Sequence, residues 1–153
     1  MTPDQKTAFA PVQSEMYQLL LCAYCYERKF NNLEVRLKAE SRAFLLEEIT
    51  ALRHLSNGII LHLCNLDDES SLWSIRAMTK SLGGHKETAE CAKICSDLMK
   101  KYRAQINQFK TKHRNLFIAH RNGEEYPNPL MLQDYRADFR NVIQIGLSAL
   151  QTI

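Results

Sequence analysis

Apolar residues recur along the chain in steps of three and four. Val12, Met16, Leu19, Ala23, Tyr26 and Phe30 make the first run. Leu45, Ile49, Leu52, Ser56, Ile59, Leu63 and Leu66 make the second, with Ser56 its one polar member. Cys95, Met99, Tyr102, Ile106, Phe109, His113, Leu116 and His120 make the third, and Leu132, Tyr135, Phe139, Val142, Gly146, Ala149 and Ile153 the fourth. Such steps keep side chains on one stripe of a helix. Four stripes predict four long helices that bury their apolar faces together.

The polar segments between the runs fit this plan. "LDDESS" after the second run is turn-like, and Ser70 or Ser71 is placed to cap a short helix through Leu82, which Gly83-Gly84 then ends. "NGEEYPNP" after Arg121 breaks the chain, and Asn128-Pro129 offers an N-cap and a first-turn proline for the last helix. Between the first two runs, "FNNLEVRLKAES" has no Gly or Pro, and the turn is placed near Asn31-Asn32. The expected fold is all-α, an up-and-down four-helix bundle-like arrangement with one additional short helix, forming one domain over residues 1–153.

Composition narrows the class. Only five glycines and four prolines interrupt 153 residues, which favours long helices over an all-β or α/β fold. No apolar run approaches the roughly 20 residues of a membrane span. Met1 leads into "TPDQKTAFAP", without the basic start and apolar stretch of a signal peptide. Five cysteines, an odd number in no secreted-type framework, suit reduced thiols. The expectation is a cytoplasmic chain. A net charge of +3 says little by itself about partners.

Charge distribution says more. From Leu98 to Arg121 there is no Asp or Glu, while Lys100, Lys101, Arg103, Lys110, Lys112, Arg114 and Arg121 are all basic. Such a face suits a polyanion such as RNA; it also suits the C-terminal half of a helix, where cations complement the dipole. His113 and His120 continue the apolar stripe seven residues apart. There they are either satisfied core histidines or members of a site with Arg114.

"RNLFIAHR", with its Arg114-Asn115-x4-His120 spacing, resembles the Arg-x(4–6)-His signature of HEPN domains (higher eukaryotes and prokaryotes nucleotide-binding). Upstream, "LRHLSNGIILHLCNLDDESSLWSIRAMTKSL" is similar to the long helix, acidic turn and short helix that precede the motif in abortive-infection-type HEPN proteins. The resemblance covers roughly residues 40–122. It implies an α-helical homodimer, and a metal-independent RNase of defence or toxin type whose two motif copies meet across the dimer interface. Carried onto this chain, His120 is the general acid/base, Arg114 the phosphate-stabilising cation, and Asn115 the residue that orients substrate or His120. His113, Arg121, Lys110 and Lys112 stand as accessory or RNA-binding residues. RNA is the expected partner, an antitoxin or regulatory protein is compatible, and no cofactor is implied. The alternative is a non-catalytic HEPN-type module that binds nucleic acid, nucleotide or a protein.

Other candidates are weaker. Cys22-x2-Cys25 and Cys91-x3-Cys95 have zinc-like spacing but lie inside apolar helical runs without knuckle turns, where cysteine behaves as a small core residue. Asp67-Asp68-Glu69 reads as a solvated turn that puts negative charge before the next helix. Trp73 reads as an anchor for the short helix. Arg53 and Asn57 flank the second stripe within reach of the motif helix. No glycine-rich phosphate loop, serine nucleophile motif or His-Glu-x-x-His zinc helix occurs.

Overall fold

The computed structural model describes residues 3–38, 42–71, 73–110 and 139–152. Those residues form five α-helices and no strand: α1 (Pro3–Leu37), α2 (Arg42–Asp67), α3 (Ile75–Gly83), α4 (Ala89–Phe109) and α5 (Arg140–Gln151), with a 3-10 turn (Lys86–Thr88) before α4. α1 lies along α2, α3 packs on α4, and α4 packs on α5. No helix among the described residues is long and apolar enough to cross a membrane.

The four stripes point inward at every described position but Leu45, which is half-buried outside the core cluster. Val12, Met16, Leu19 and Tyr26 of α1 are buried, with Ala23 and Phe30 packed against them. Ile49, Leu52, Ser56, Ile59, Leu63 and Leu66 of α2 are buried, as are Cys95, Met99, Tyr102, Ile106 and Phe109 of α4. Phe139, Val142, Gly146 and Ala149 continue the core into α5. Each fully buried Leu or Ile contributes about 1.5–3 kcal/mol. His113, Leu116, His120, Leu132, Tyr135 and the Asn128-Pro129 helix start lie outside the described residues.

Three local expectations are corrected. α1 runs straight through Asn31-Asn32 to Leu37: Asn32 Nδ2 donates to Arg28 O (2.9 Å) inside the helix, and Leu33, three residues past Phe30, extends the buried stripe. α3 is capped by Ser74, whose Oγ accepts from Ala77 N at 3.0 Å. Ser70 and Ser71 shape the turn before it: Ser70 donates to Asp68 Oδ1, and Ser71 Oγ accepts from Trp73 N. Trp73 is no anchor; it is 47% exposed, and Ile75, Met78 and Leu82 hold α3 to the core instead.

An aromatic cluster fixes where the chain leaves α4 and re-enters α5. Phe109 and Phe139 meet at 5.2 Å between ring centroids, and Phe139 meets Tyr26 of α1 edge-on at 5.8 Å. Further along α5, a Cβ on Gly146 would stand 3.1 Å from Met16 Cε and 3.2 Å from Tyr102 Cε2. A side chain there would press on both neighbours, and glycine avoids it.

Candidate functional site

Of the motif and accessory residues named from sequence, Lys110 is described. Lys112, His113, Arg114, Asn115, His120 and Arg121 lie outside the described residues, and with them the partners suggested for Arg53 and Asn57. Lys110 closes α4, and its Nζ donates to Asp67 Oδ2 at 2.6 Å.

Asp67 is the centre of the polar end of the fold. It ends α2 with its side chain 1% exposed, so Asp67 departs from the solvated turn expected from sequence, while Asp68 and Glu69 are exposed in that turn. Arg103 of α4 grips it from the side: Nε donates to Oδ1 and Oδ2 (both 3.2 Å) and Nη2 to Oδ1 (2.9 Å). These bonds hold the Arg103 pKa above its ordinary value. A buried carboxylate needs such partners, because water no longer solvates it. The two cations bond one carboxylate, so positive charge is left over at the surface. Glu69, two residues on and exposed, pairs with Arg76 (2.9 Å) and Lys80 (2.7 Å) of α3.

Two open clefts flank this network. One, of about 390 Å³, lies over Asp67, Arg103 and Lys110. The other, of about 530 Å³, runs between α3 and α4 past Arg76, Lys80, Lys100 and Arg103, with Met99 in its wall. Together they are lined by five cations (Arg76, Lys80, Lys100, Arg103, Lys110) and three carboxylates (Asp67, Asp68, Glu69). Lys100 also pairs with Asp97 (2.7 Å), so the excess is a single positive charge.

A second polar cluster joins α1 to α2. Glu15 is buried, Asn65 Nδ2 donates to its Oε1 (2.8 Å), and His62 Nδ1 lies 2.9 Å from the same oxygen. The His62 side chain remains 24% exposed. None of the three is a candidate residue of the motifs named above. Their one signal was that Glu15 is the only charged residue between Lys6 and Glu27, beside the core position Met16. Tyr102 lies close by: its hydroxyl donates to Leu63 O (2.9 Å), and burial, then Cys64, Asp67 and Glu15, push its pKa far up.

The cysteines face separate neighbours. Cys22 Sγ stands 3.6 Å from the place a Cβ on Gly58 would occupy, and Cys95 Sγ is 3.0 Å from Thr79 Oγ1. Burial pushes both thiols up. Among the described residues, no three His, Cys, Asp or Glu side chains gather as a metal site requires. No family model, no curated protein and no solved structure matches this chain.

Proposed function

We propose that the protein is a HEPN-type, metal-independent endoribonuclease of prokaryotic defence or toxin type, acting as a homodimer through a composite site built from Arg114, Asn115 and His120. The observation that carries the proposal is the Arg-Asn-x4-His motif itself, four residues beyond Lys110 on a chain that leaves α4 beside a polar cleft whose lining includes Arg76, Arg103 and Lys110. The all-α architecture, with a short helix between α2 and α4, agrees with it.

In this reading the RNA 2′-hydroxyl loses its proton to a base and attacks phosphorus, while an acid protonates the departing 5′-oxygen. The products are a 2′,3′-cyclic phosphate and a 5′-hydroxyl. His120 of the two chains supplies base and acid, and Arg114 stabilises the phosphorane charge. Arg76, Lys80 and Lys100 hold flanking phosphates in the cleft.

The test is cleavage of varied RNAs in the presence of a chelator. Wild type is expected to cut and leave cyclic-phosphate ends, and His120→Ala to lose on the order of 10²–10⁴ in rate, the usual worth of a general acid–base. Cleavage that stops in chelator, or leaves 3′-hydroxyl ends, sinks the mechanism. A second reading is a non-catalytic module that binds polyanions, and the cleft's excess of cations favours it because that cleft needs no histidine. RNA binding without cleavage by either chain is its result.

A further inference from the structure

We propose that Cys22 and Cys25 of α1 form a two-coordinate site for a soft monovalent cation, Cu(I). The two stand at i and i+3 inside one unbroken helix, so their side chains are neighbours on successive turns. Both thiols are free and half-buried, within reach of solvent. They depart in this from the core cysteine expected from sequence, which Cys95 is: fully buried, with its sulfur against Thr79. The Cys22 thiol also feels its neighbour, since its pKa is pushed up first by burial and then by the charge of Cys25.

Spacing decides between a disulfide and a bridging ion. Residues three apart on a helix hold their Cβ atoms roughly 5–6 Å from each other. A disulfide needs about 3.5–4.5 Å, and α1 is helical from Pro3 to Leu37 with no break at these turns to close the gap. An ion between the sulfurs spans it instead, through two metal–sulfur bonds on the order of 2 Å each, and the helix stays whole.

The donor set selects the ion. Thiolates are soft ligands and favour Cu(I). A structural zinc site takes four ligands, and among the described residues no third His, Cys, Asp or Glu joins this pair. On the α2 side, Cys22 Sγ meets Gly58, where a Cβ would stand 3.6 Å away, and glycine offers no donor side chain. Binding breaks two S–H bonds and forms two S–Cu bonds. Both protons leave to solvent, and the complex carries one negative charge. Arg28, exposed and three residues beyond Cys25, puts a positive charge one turn away.

The site is separate from the ribonuclease reading, because neither thiol lines the α3–α4 clefts or belongs to the motif. The test titrates the full, reduced chain with Cu(I) without oxygen, in ascorbate and against a coloured Cu(I) chelator. Wild type is expected to hold one copper per chain, with two sulfur neighbours by X-ray absorption. Cys25→Ser and Cys22→Ser are each expected to bind about 100-fold or more weakly, since a lone thiol loses the effective concentration of its partner. Cys91→Ser, on α4, is expected to bind as wild type does. Cu(I) is expected to raise the melting temperature of wild type and not that of Cys25→Ser, and the same helical melting curve shows that the variant folds. Equal binding by wild type and Cys25→Ser, no uptake by wild type, or a copper with three or more sulfur neighbours overturns the inference.

Discussion

α1 and α4 share a core and differ entirely on their outer faces. Inside, both follow the same three-four rhythm, and Met16 of one meets Tyr102 of the other across Gly146. Outside, the Tyr17–Tyr24 stretch of α1 shows Tyr17, Leu20, Leu21 and Tyr24 and no charge, while α4 shows Lys93, Asp97, Lys100 and Lys101. The chain-wide net charge of +3 averages over this separation and hides it. The inner pattern says how the helices pack, and the outer pattern says what each side can meet. One side is apolar and neutral over two turns, and the other is charged.

The hardest blow to the polar side falls at Asp67. Asp67→Asn removes a carboxylate with a 1% exposed side chain that receives Arg103 and Lys110. Breaking a fully buried pair costs about 3–5 kcal/mol. Here both cations keep a path to water, so about 2–3 kcal/mol is expected. Thermal unfolding should drop by roughly 5–10 °C for a chain of this size. The same change frees the end of α4, so RNA binding should fall while the dimer mass stays as it was. A fall in both would mean that the two sides are not independent.

Gly146→Ala strikes the point where the helices touch. Alanine favours a helix interior by about 1 kcal/mol over glycine. Against that, the new methyl meets Met16 Cε at 3.1 Å and Tyr102 Cε2 at 3.2 Å. The methionine end can swing away. The tyrosine cannot, since its ring is buried and its hydroxyl is tied to Leu63 O. Overpacking costs about 1–3 kcal/mol, so a net loss near 1 kcal/mol and a fall of about 2–4 °C are expected by calorimetry. A rise in melting temperature would show that α5 yields.

The inner half of this comparison was legible in the sequence because period 3.6 is a local property. Val12 to Tyr26 and Ile49 to Leu66 needed no knowledge of their neighbours. The failures were all questions of which groups meet. Asn31-Asn32 has turn chemistry, yet Leu33 had a core to fill and the helix continued. Asp67 looked solvated because its partners are 36 and 43 residues away. Glu15 and His62 pair only in the register of α1 on α2, and spacing within either helix carries no trace of it. Of the candidate site, the sequence supplied the motif, and the residues from Arg114 to His120 lie outside the described ones. The structure adds the cleft beside which the chain leaves α4, and the buried aspartate that ties Lys110 there.

Acid distinguishes the two faces with the smallest effect. Glu69 is exposed, and its carboxyl is held below its ordinary value, chiefly by the hydrogen bond from Lys80 and further by the charges of Arg76 and Lys80. Asp97 is lowered in the same way by Lys100. A carboxylate with a depressed folded pKa stabilises the fold above its unfolded value, about 4 for Asp and Glu, and that contribution is lost as pH falls through the lower folded value. Melting temperature should therefore decline more steeply below pH 4 in wild type than in Glu69→Gln, and the difference should shrink in high salt, which screens exposed pairs. The stripe from Tyr17 to Tyr24 holds no carboxylate. Dimer mass measured from pH 7 down to the onset of unfolding should stay constant while RNA binding changes. A dimer that dissociates in step with the titration of Glu69 would place its contacts on the α3–α4 side.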